Sequence, residues 1–396
     1  MSHDIYNYPK RMERVLVKVR DDPKVSDRNK ELLLGFYRFC LAESLSAARV
    51  VRCLYAMVVF AEWTKKDFDN CNREDVTNMV YELEKDTRYV HATRQEMKMT
   101  LRKFFKWMRG TDEYPDEVKG LKCHRNMANN KLPEELLTED EVKLLIDTAD
   151  NPRDKALLAV LYESGCRIGE LLSLKIKNVT PNTHGAHLMV NGKTGMRMVL
   201  IIASVPYLME WLNKHPQKRN PEAPIWMLEK KMKELSHSDI QRILRKIRKR
   251  SGITKRINAH NFRHSRATFL ASRLSDAVLK EVFGWTQSSK MASVYIHLSG
   301  KTVDDALLRV NGIETKAEGQ EATFVSKKCD RCDAVNPPTN KFCSRCGTTL
   351  DKEIVASIIE KDIERRKADN ALDNLIQNDQ EFREMLLSKL KETLKS

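Results

Sequence analysis

The chain has 396 residues, enough for two or three domains that each bury a hydrophobic core. Hydrophobic residues make up 41% and charged residues 32%, a composition typical of a soluble globular protein rather than a disordered or fibrous one. The net charge of +15 favours a polyanionic partner, either nucleic acid or an anionic membrane surface.

A membrane partner is not expected. The longest apolar run, residues 50–60, is interrupted by Arg52 and is too short to span a bilayer. The first ten residues do not have the pattern of a signal peptide. We therefore expect a cytoplasmic protein, whose nine cysteines are reduced or metal-bound rather than paired in disulfides.

The first part of the chain is predicted to be helical. Residues 1–25 are polar, and we assign them to an N-terminal extension with one short helix near residues 11–19. Residues 26–112 follow a helical pattern throughout. The clearest helix, predicted at 93–109, has an apolar stripe made of Met97, Leu101, Phe104, Phe105 and Met108.

The same helix carries a second stripe that is almost wholly basic. A charged helix face is ordinarily just solvated. Like charges at i,i+4 repel each other, however, and a phosphate backbone would relieve that repulsion. We therefore take the stripe as a candidate nucleic-acid surface, formed by Arg94, Lys98, Arg102, Lys106 and Arg109.

The middle of the chain changes to a mixed pattern. Residues 113–135 contain prolines, glycines and many charges and are predicted to be a linker. Residues 138–141 form a capping box that opens a helix, and a buried apolar helix is predicted over 154–162. Two strands, at 187–190 and 197–203, flank the turn N-G-K-T-G. The predicted fold class is α+β, mainly helical with a small antiparallel sheet.

The densest basic patch lies on a helix predicted from Ser238, with Gly252 as its C-cap. Its apolar residues, such as Ile240 and Leu244, face the core. Five cations point away from that face: Arg242, Arg245, Lys246, Lys249 and Arg250.

The stretch that follows, Ala259 to Tyr295, holds residues suited to phosphate chemistry. His260, Arg263 and Trp285 can all donate hydrogen bonds to phosphate oxygens. A tyrosine placed among them can attack phosphorus and hold it covalently. Tyr295 taken alone would be an ordinary helix residue.

Two earlier motifs add cations to this set. Arg167 lies where the chain leaves a buried helix, and Glu170 can hold its guanidinium in place. Lys193 lies at the hairpin tip, from which it can reach a phosphate. Each residue has an ordinary alternative: Arg167 and Glu170 as a surface ion pair, Lys193 as a solvated turn residue, Trp285 as a core residue. Taken together, in this order along the chain, these cations, the tryptophan and the tyrosine have no good ordinary explanation.

Four motifs together resemble the tyrosine recombinases, or phage-type integrases, and look most like archaeal members. They are G-C-R-I-G-E-L-L-S-L, N-G-K-T-G, A-H-N-F-R-H-S-R-A-T and G-W-T-Q-S-S-K-M-A-S-V-Y-I-H, and the match covers residues 26–312. The fifth residue of the family's catalytic set is often histidine, and here it is Trp285. The resemblance implies the catalytic set Arg167, Lys193, His260, Arg263, Trp285 and Tyr295, supported by Glu170.

The resemblance also implies a mechanism. Tyr295 attacks a scissile DNA phosphate, giving a 3′-phosphotyrosine and a free 5′-hydroxyl, with no ATP and no catalytic metal. Arg167 and Arg263 bind the non-bridging oxygens, and Trp285 donates an indole hydrogen bond to the phosphate. Lys193 protonates the leaving oxygen, and His260 takes the tyrosine proton. Both basic helices are candidates for contact with double-stranded DNA.

The domain organisation follows from the same resemblance. Residues 26–112 form a helical core-binding (SAM-like) domain and residues 136–312 the catalytic domain. A short helix at 301–312 is expected to pack on the next subunit. The expected assembly is a homo-oligomer, monomeric in solution and tetrameric in synapsis.

The cysteines near the C-terminus give a separate signal. Cys329-x2-Cys332-x10-Cys343-x2-Cys346 has the spacing of a tetrathiolate zinc site. Because four thiolates leave no open position, we expect one structural Zn²⁺ in a zinc ribbon at 327–350. A connector at 313–326 precedes it, and a helical tail at 351–396 follows.

The sequence favours a site-specific recombinase, as the integrase of an archaeal virus or other mobile element. Two alternatives stay open. A type IB topoisomerase uses the same chemistry, and a regulator could bind DNA through the zinc ribbon and basic helices without cutting it.

Overall fold

The fold is mainly helical, and the described residues contain three small antiparallel sheets, which confirms the predicted fold class. The computed structural model describes residues 5–123, 133–192, 194–298, 311 and 322–393. It divides into two compact units: Met1–Leu132 with Ser236–Ser238, and Pro133–Leu235 with Asp239–Ser396.

The described part of the first unit consists of helices. Its core surrounds α3, which is apolar on nearly every side. Local signals fix where helices start, since Ser26 accepts a hydrogen bond from the N–H of Asn29 and Asn72 forms a capping box with Asp75. The helices are α1 (Tyr8–Asp21), α2 (Asp27–Ala42), α3 (Ala47–Trp63), α4 (Arg73–Lys85), α5 (His91–Arg109) and α6 (Asp116–Lys119).

The predicted N-terminal extension is packed into this core. The helix expected near residues 11–19 runs over the whole of α1, and Val15 and Val19 are buried in the core together with Val25. Helical spacing of apolar residues gives α1 a face that must be covered, so it packs on α3. The start of the predicted linker behaves similarly, because Val118 on α6 is buried in the same core.

The apolar stripe of α5 is confirmed. Met97, Leu101, Phe104 and Phe105 are buried, and Met108 is partly buried against the same core.

The second unit surrounds the buried helix α8, which confirms the helix predicted over 154–162. The capping box between Thr138 and Glu141 at the start of α7 is also confirmed. The helices are α7 (Glu139–Thr148), α8 (Pro152–Ser164), α9 (Ile168–Leu172), α10 (Val205–Lys214), α11 (His237–Ser251), α12 (Ala259–Ala271), α13 (Asp276–Phe283), α14 (Met291–Leu298), α15 (Lys352–Asn378) and α16 (Gln380–Thr393).

The predicted hairpin is present as β2 and β3, whose last pair in register is Gly192 with Gly195. A short strand that the sequence did not predict, β1, pairs with the other edge of β2. Two further pairs, β4 with β5 and β6 with β7, are each two residues long on either side. The strands are β1 (Val179–Pro181), β2 (Ala186–Gly192), β3 (Gly195–Ile201), β4 (Met227–Leu228), β5 (Lys233–Glu234), β6 (Lys327–Lys328) and β7 (Val335–Asn336).

The cysteine-rich segment is attached to the rest of the second unit at two points. The N–H groups of Thr323 and Phe324 donate to Glu139, and the Phe324 ring packs edge-on against Tyr162. The hydroxyls of Tyr207 and Thr339 form a hydrogen bond of 2.8 Å. By contrast, α15 and α16 leave apolar residues such as Ile359 and Leu387 exposed.

No helix in the described part of the chain combines the length and the apolar character that a membrane span requires.

Candidate active site

Among the described members of the predicted set, Arg263 is the most deeply buried cation. Its side chain extends from α12 and donates to the carbonyls of Gly165 (2.8 Å) and Phe283 (2.7 Å). Those carbonyls lie at the C-terminal ends of α8 and α13, where the helix dipole is negative. Burial, and then the neighbouring Arg167, lower the pKa of Arg263 to about 10, so it stays charged at neutral pH.

Arg167 and Glu170 are paired as predicted from their spacing. Arg167 is the N-cap of α9, its Nη1 donates to Glu170 Oε1 (2.8 Å), and its backbone N–H donates to Glu170 Oε2 (3.0 Å). The Arg167 side chain is 34% exposed, whereas that of Glu170 is 3% exposed. The buried carboxylate of Glu170 therefore holds the Arg167 guanidinium on one side, and part of the guanidinium remains accessible to solvent.

Arg197 on β3 is a site residue that the sequence analysis missed. Its Nη2 donates to Glu170 Oε2 (2.8 Å), and its Nε donates to the carbonyl of Val282 (3.2 Å). The alternation of inward-facing and outward-facing residues along β3 could have identified it. Arg197 lies on the same face as the buried Val199 and Ile201, and an inward-facing arginine needs a carboxylate partner.

The cluster carries a surplus of positive charge. Burial alone raises the pKa of Glu170, but hydrogen bonds from Arg197 and Arg167 outweigh burial and hold this pKa at about 2. Among the described residues, two guanidiniums contact the carboxylate and that of Arg263 lies near it, leaving two positive charges uncompensated. Such a cluster is suited to an oxyanion with growing negative charge.

Tyr295 lies beside this cluster, within the core of the unit. It is 2% exposed, and its ring stacks on Trp285 with centroids 5.3 Å apart. Trp285 in turn lies near the Arg263 guanidinium, 5.6 Å from the ring centroid. Burial raises the pKa of Tyr295 to about 12, while Arg263 acts in the opposite direction.

The imidazole in contact with Tyr295 is His264, which the predicted set did not include. The Tyr295 hydroxyl is hydrogen-bonded to His264 Nδ1. The ring centroids of His260 and His264 are 4.1 Å apart. His260 itself is exposed. The signal for His264 was its position, one helical turn after His260 on the same face of α12.

Two glycines shape the site. Gly165 ends α8 and Gly284 ends α13, both with the positive φ that glycine adopts readily. They turn the chain immediately before Cys166–Arg167 and before Trp285. Lys193, predicted at the hairpin tip, and the helix predicted over 301–312 lie outside the described residues, apart from Asn311.

The basic stripe of α5 is partly paired with acids on neighbouring helices. Glu84 pairs with Arg94 and Lys98, and Glu117 pairs with Arg109, so two carboxylates meet three of the five cations. The remaining two cations of the stripe, Arg102 and Lys106, lie 3.8 and 5.8 Å from the ring of Tyr114.

The five predicted cations of α11 are all exposed. Asp150 pairs with Lys246 and Arg250, and Asp239 pairs with Arg242. Arg245 and Lys249 form no ion pair with any residue in the part of the chain that the structure describes. These two are the most available cations on the helix.

The four cysteines converge as their spacing predicts. Their sulfur atoms all lie within 4.8 Å of one another, with Cys329–Cys346 at 3.5 Å and Cys332–Cys343 at 3.6 Å. Four thiolates around zinc at Zn–S of about 2.3 Å would be roughly 3.8 Å apart. The backbone N–H of Arg345 donates to Cys343 Sγ (3.4 Å), as expected for a metal-binding turn. The donor set fits a tetrahedral zinc ion.

The sequence is similar to those of known proteins. Residues 135–301 match the phage integrase family. The chain is 31% identical over 219 residues to tyrosine recombinase XerA of Pyrococcus horikoshii, covering 54% of this chain and 72% of XerA. It is 30% identical over 203 residues to XerA of Pyrococcus furiosus, covering 49% and 69%.

Solved structures show the same fold. XerH recombinase bound to palindromic difH substrate superposes with a TM-score of 0.54 at 20% identity, covering 79% of this chain and 97% of XerH. A lambda integrase dimer bound to a COC′ core site gives 0.56 at 16% identity, covering 69% and 78%.

Fold, site and relatives define an enzyme that cuts DNA at specific sites and exchanges the strands. The chain belongs to the tyrosine recombinases, the phage integrase family.

Replacing Gly165 by alanine tests the turn that presents Arg167. The new Cβ would lie 2.4 Å from the Phe283 ring, at a φ of +56°. We expect a loss of about 2–5 kcal/mol in unfolding free energy, from the left-handed backbone and overpacking together. Gly252→Ala is the matched control, because its φ is +72° with nothing within 4 Å. It should lose only about 1–2 kcal/mol in urea unfolding. Equal losses would contradict the packing argument.

Proposed function

We propose that Tyr295 is the nucleophile of this recombinase and attacks a scissile phosphodiester in duplex DNA. The observation that carries this assignment is its position, stacked on Trp285 beside the Arg263 guanidinium. Attack forms a bond between the tyrosine oxygen and phosphorus and breaks the bond to the 5′-oxygen. The products are a 3′-phosphotyrosine and a 5′-hydroxyl, so the bond energy is kept for rejoining.

The cations around the site stabilise the transition state. Arg167 and Arg263 are assigned to the non-bridging oxygens, where negative charge increases during phosphoryl transfer. Burial and, after it, repulsion from Arg167 lower the pKa of Arg263, and an arriving anion would relieve both. Lys193 is assigned the proton for the leaving 5′-oxygen, and Trp285 an indole hydrogen bond to phosphate.

The tyrosine proton goes first to His264 rather than to His260. His264 Nδ1 already holds the hydroxyl, and His260 packs against His264. A phenol whose pKa is about 12 is almost wholly protonated at neutral pH, so a base in contact is needed. Because the hydroxyl is buried, α14 must also shift before it can meet DNA.

The partner is double-stranded DNA, and the working assembly is a tetramer at synapsis formed from chains that are monomeric in solution. Lambda integrase, which shares the fold, has been solved as a dimer on a core site and as a tetramer on a Holliday junction. The enzyme acts in the cytoplasm as the integrase of an archaeal virus or mobile element. A topoisomerase role is not favoured, because the relatives named above are recombinases.

One zinc ion in the ribbon has a structural role. The four cysteines would hold it, and it would cross-link the two turns of a segment too small to fold on its own core.

Tyr295→Phe should abolish covalent attachment and leave DNA binding intact. The test uses nicked duplexes with a randomised core, followed by denaturing electrophoresis. The native chain should give a covalent protein–DNA adduct, and Tyr81→Phe, at an exposed tyrosine, should do the same. An adduct that persists in Tyr295→Phe would overturn the assignment. Salt-sensitive binding without any adduct would instead support the regulator, and plasmid relaxation without junction formation the topoisomerase.

The chain should bind one equivalent of zinc. Release by mercurial titration of the thiols, followed with a chromogenic chelator, measures the ratio. Cys343→Ser should bind at most weakly, whereas Cys123→Ser, at a cysteine outside the cluster, should bind one equivalent. A native chain without zinc after expression in zinc-supplemented medium would contradict the site.

Removing the available cations of α11 should weaken DNA binding. The double variant Arg245→Ala/Lys249→Ala should lower the salt dependence of binding by about two counterions. Arg94→Ala/Lys98→Ala, which removes the same charge from cations paired with Glu84, should change it less. Fluorescence anisotropy at salt concentrations from about 50 to 200 mM gives, for each variant, the slope of log binding constant against log salt concentration. A larger change in Arg94→Ala/Lys98→Ala than in Arg245→Ala/Lys249→Ala would show that α5 is the DNA-binding helix.

A further inference from the structure

We propose that Arg197 is a positioning residue for strand cleavage, which holds Arg167 in place through Glu170 and fixes the turn before Trp285. The proposal rests on the function given above and adds a residue to it.

The link to Arg167 runs through the two oxygens of one carboxylate. Glu170 Oε1 accepts from Arg167 Nη1 and Oε2 accepts from Arg197 Nη2, each at 2.8 Å. Oε2 also accepts from the backbone N–H of Arg167 (3.0 Å), so with Arg197 in place both of its lone pairs are used and it is closed to the Arg167 guanidinium. Arg167 Nη2 donates instead to the carbonyl of Gly284 (3.3 Å), and the partly exposed guanidinium keeps further N–H groups for a phosphate. Without Arg197, Glu170 can turn and bind Arg167 in a bidentate pair, which would withdraw the guanidinium from DNA.

The link to Trp285 runs through the end of α13. Arg197 Nε donates to the carbonyl of Val282, and its Nη1 lies against Gly284, where an added Cβ would be only 2.8 Å away. Trp285 follows directly and carries the stacked ring of Tyr295. One side chain on β3 therefore sets two of the groups that the reaction uses.

The fold uses only part of the Arg197 guanidinium. Its Nη1 is buried and has no hydrogen-bond partner among the described residues. An unpartnered buried donor costs stability, and an unbranched apolar side chain of similar length would avoid that cost. This cost is consistent with a role for Arg197 in the site.

The experiment measures single-turnover adduct formation on the randomised nicked duplexes for the full chain, with DNA affinity measured separately. Arg197→Met should slow adduct formation about 100-fold or more, with DNA affinity changed less than about threefold, because the Arg197 side chain is only 13% exposed. Arg197→Lys, which can reach Glu170 but not Val282 as well, should recover part of the rate. Met198→Ala, at the exposed neighbour on β3, is the control and should react normally.

A double-mutant cycle separates positioning from a merely structural role. If Arg197 acts partly through Glu170, adding Arg197→Met to Glu170→Gln should cost clearly less than Arg197→Met costs in the native chain, because only the link to Trp285 is then left to lose. Multiplying effects, or a full rate in Arg197→Met that has folded normally by circular dichroism, would overturn the proposal. In either case the native chain still forms its adduct through Tyr295, so the nucleophile assignment is tested independently.

Discussion

The buried carboxylate of Glu170 is the interaction on which the active site depends. A carboxylate taken out of water is costly unless cations and N–H donors surround it, and here two guanidiniums and a backbone N–H do so. The carboxylate stabilises the cations in return. Without it, three guanidiniums in one partly buried space would repel one another. Burial is the main cause of the lowered pKa of Arg263, and the neighbouring Arg167 adds to it.

The remaining geometry comes from the ends of helices rather than from their faces. Two helix C-termini place their carbonyls around Arg263, and the glycines at or next to those ends redirect the chain toward Arg167 and Trp285. Free carbonyls at a helix end need donors, and a guanidinium supplies several in one plane. The same contacts that satisfy the backbone therefore align the cations for phosphate.

Much of this arrangement could be predicted from the sequence, and the limits have a common cause. Short-range signals were sufficient for the capping box at Thr138, the hairpin, the buried helix α8 and the pairing of Arg167 with Glu170. Contacts between distant segments were not readable. Arg197 meets Glu170 only because β2, the partner strand of β3, packs on α9. The α5 stripe is partly paired with acids whose approach depends on the packing of other helices.

The attachment of the cysteine-rich segment has a practical consequence for dissecting the protein. Phe324 covers Tyr162 and Thr339 covers the hydroxyl of Tyr207, and both tyrosines are almost fully buried. A shortened chain that stops after α14 would uncover two aromatic rings and leave Glu139 without the N–H donors that now satisfy it. Such a fragment would be prone to self-association, so the boundary of the smallest well-behaved catalytic piece lies beyond the ribbon rather than before it.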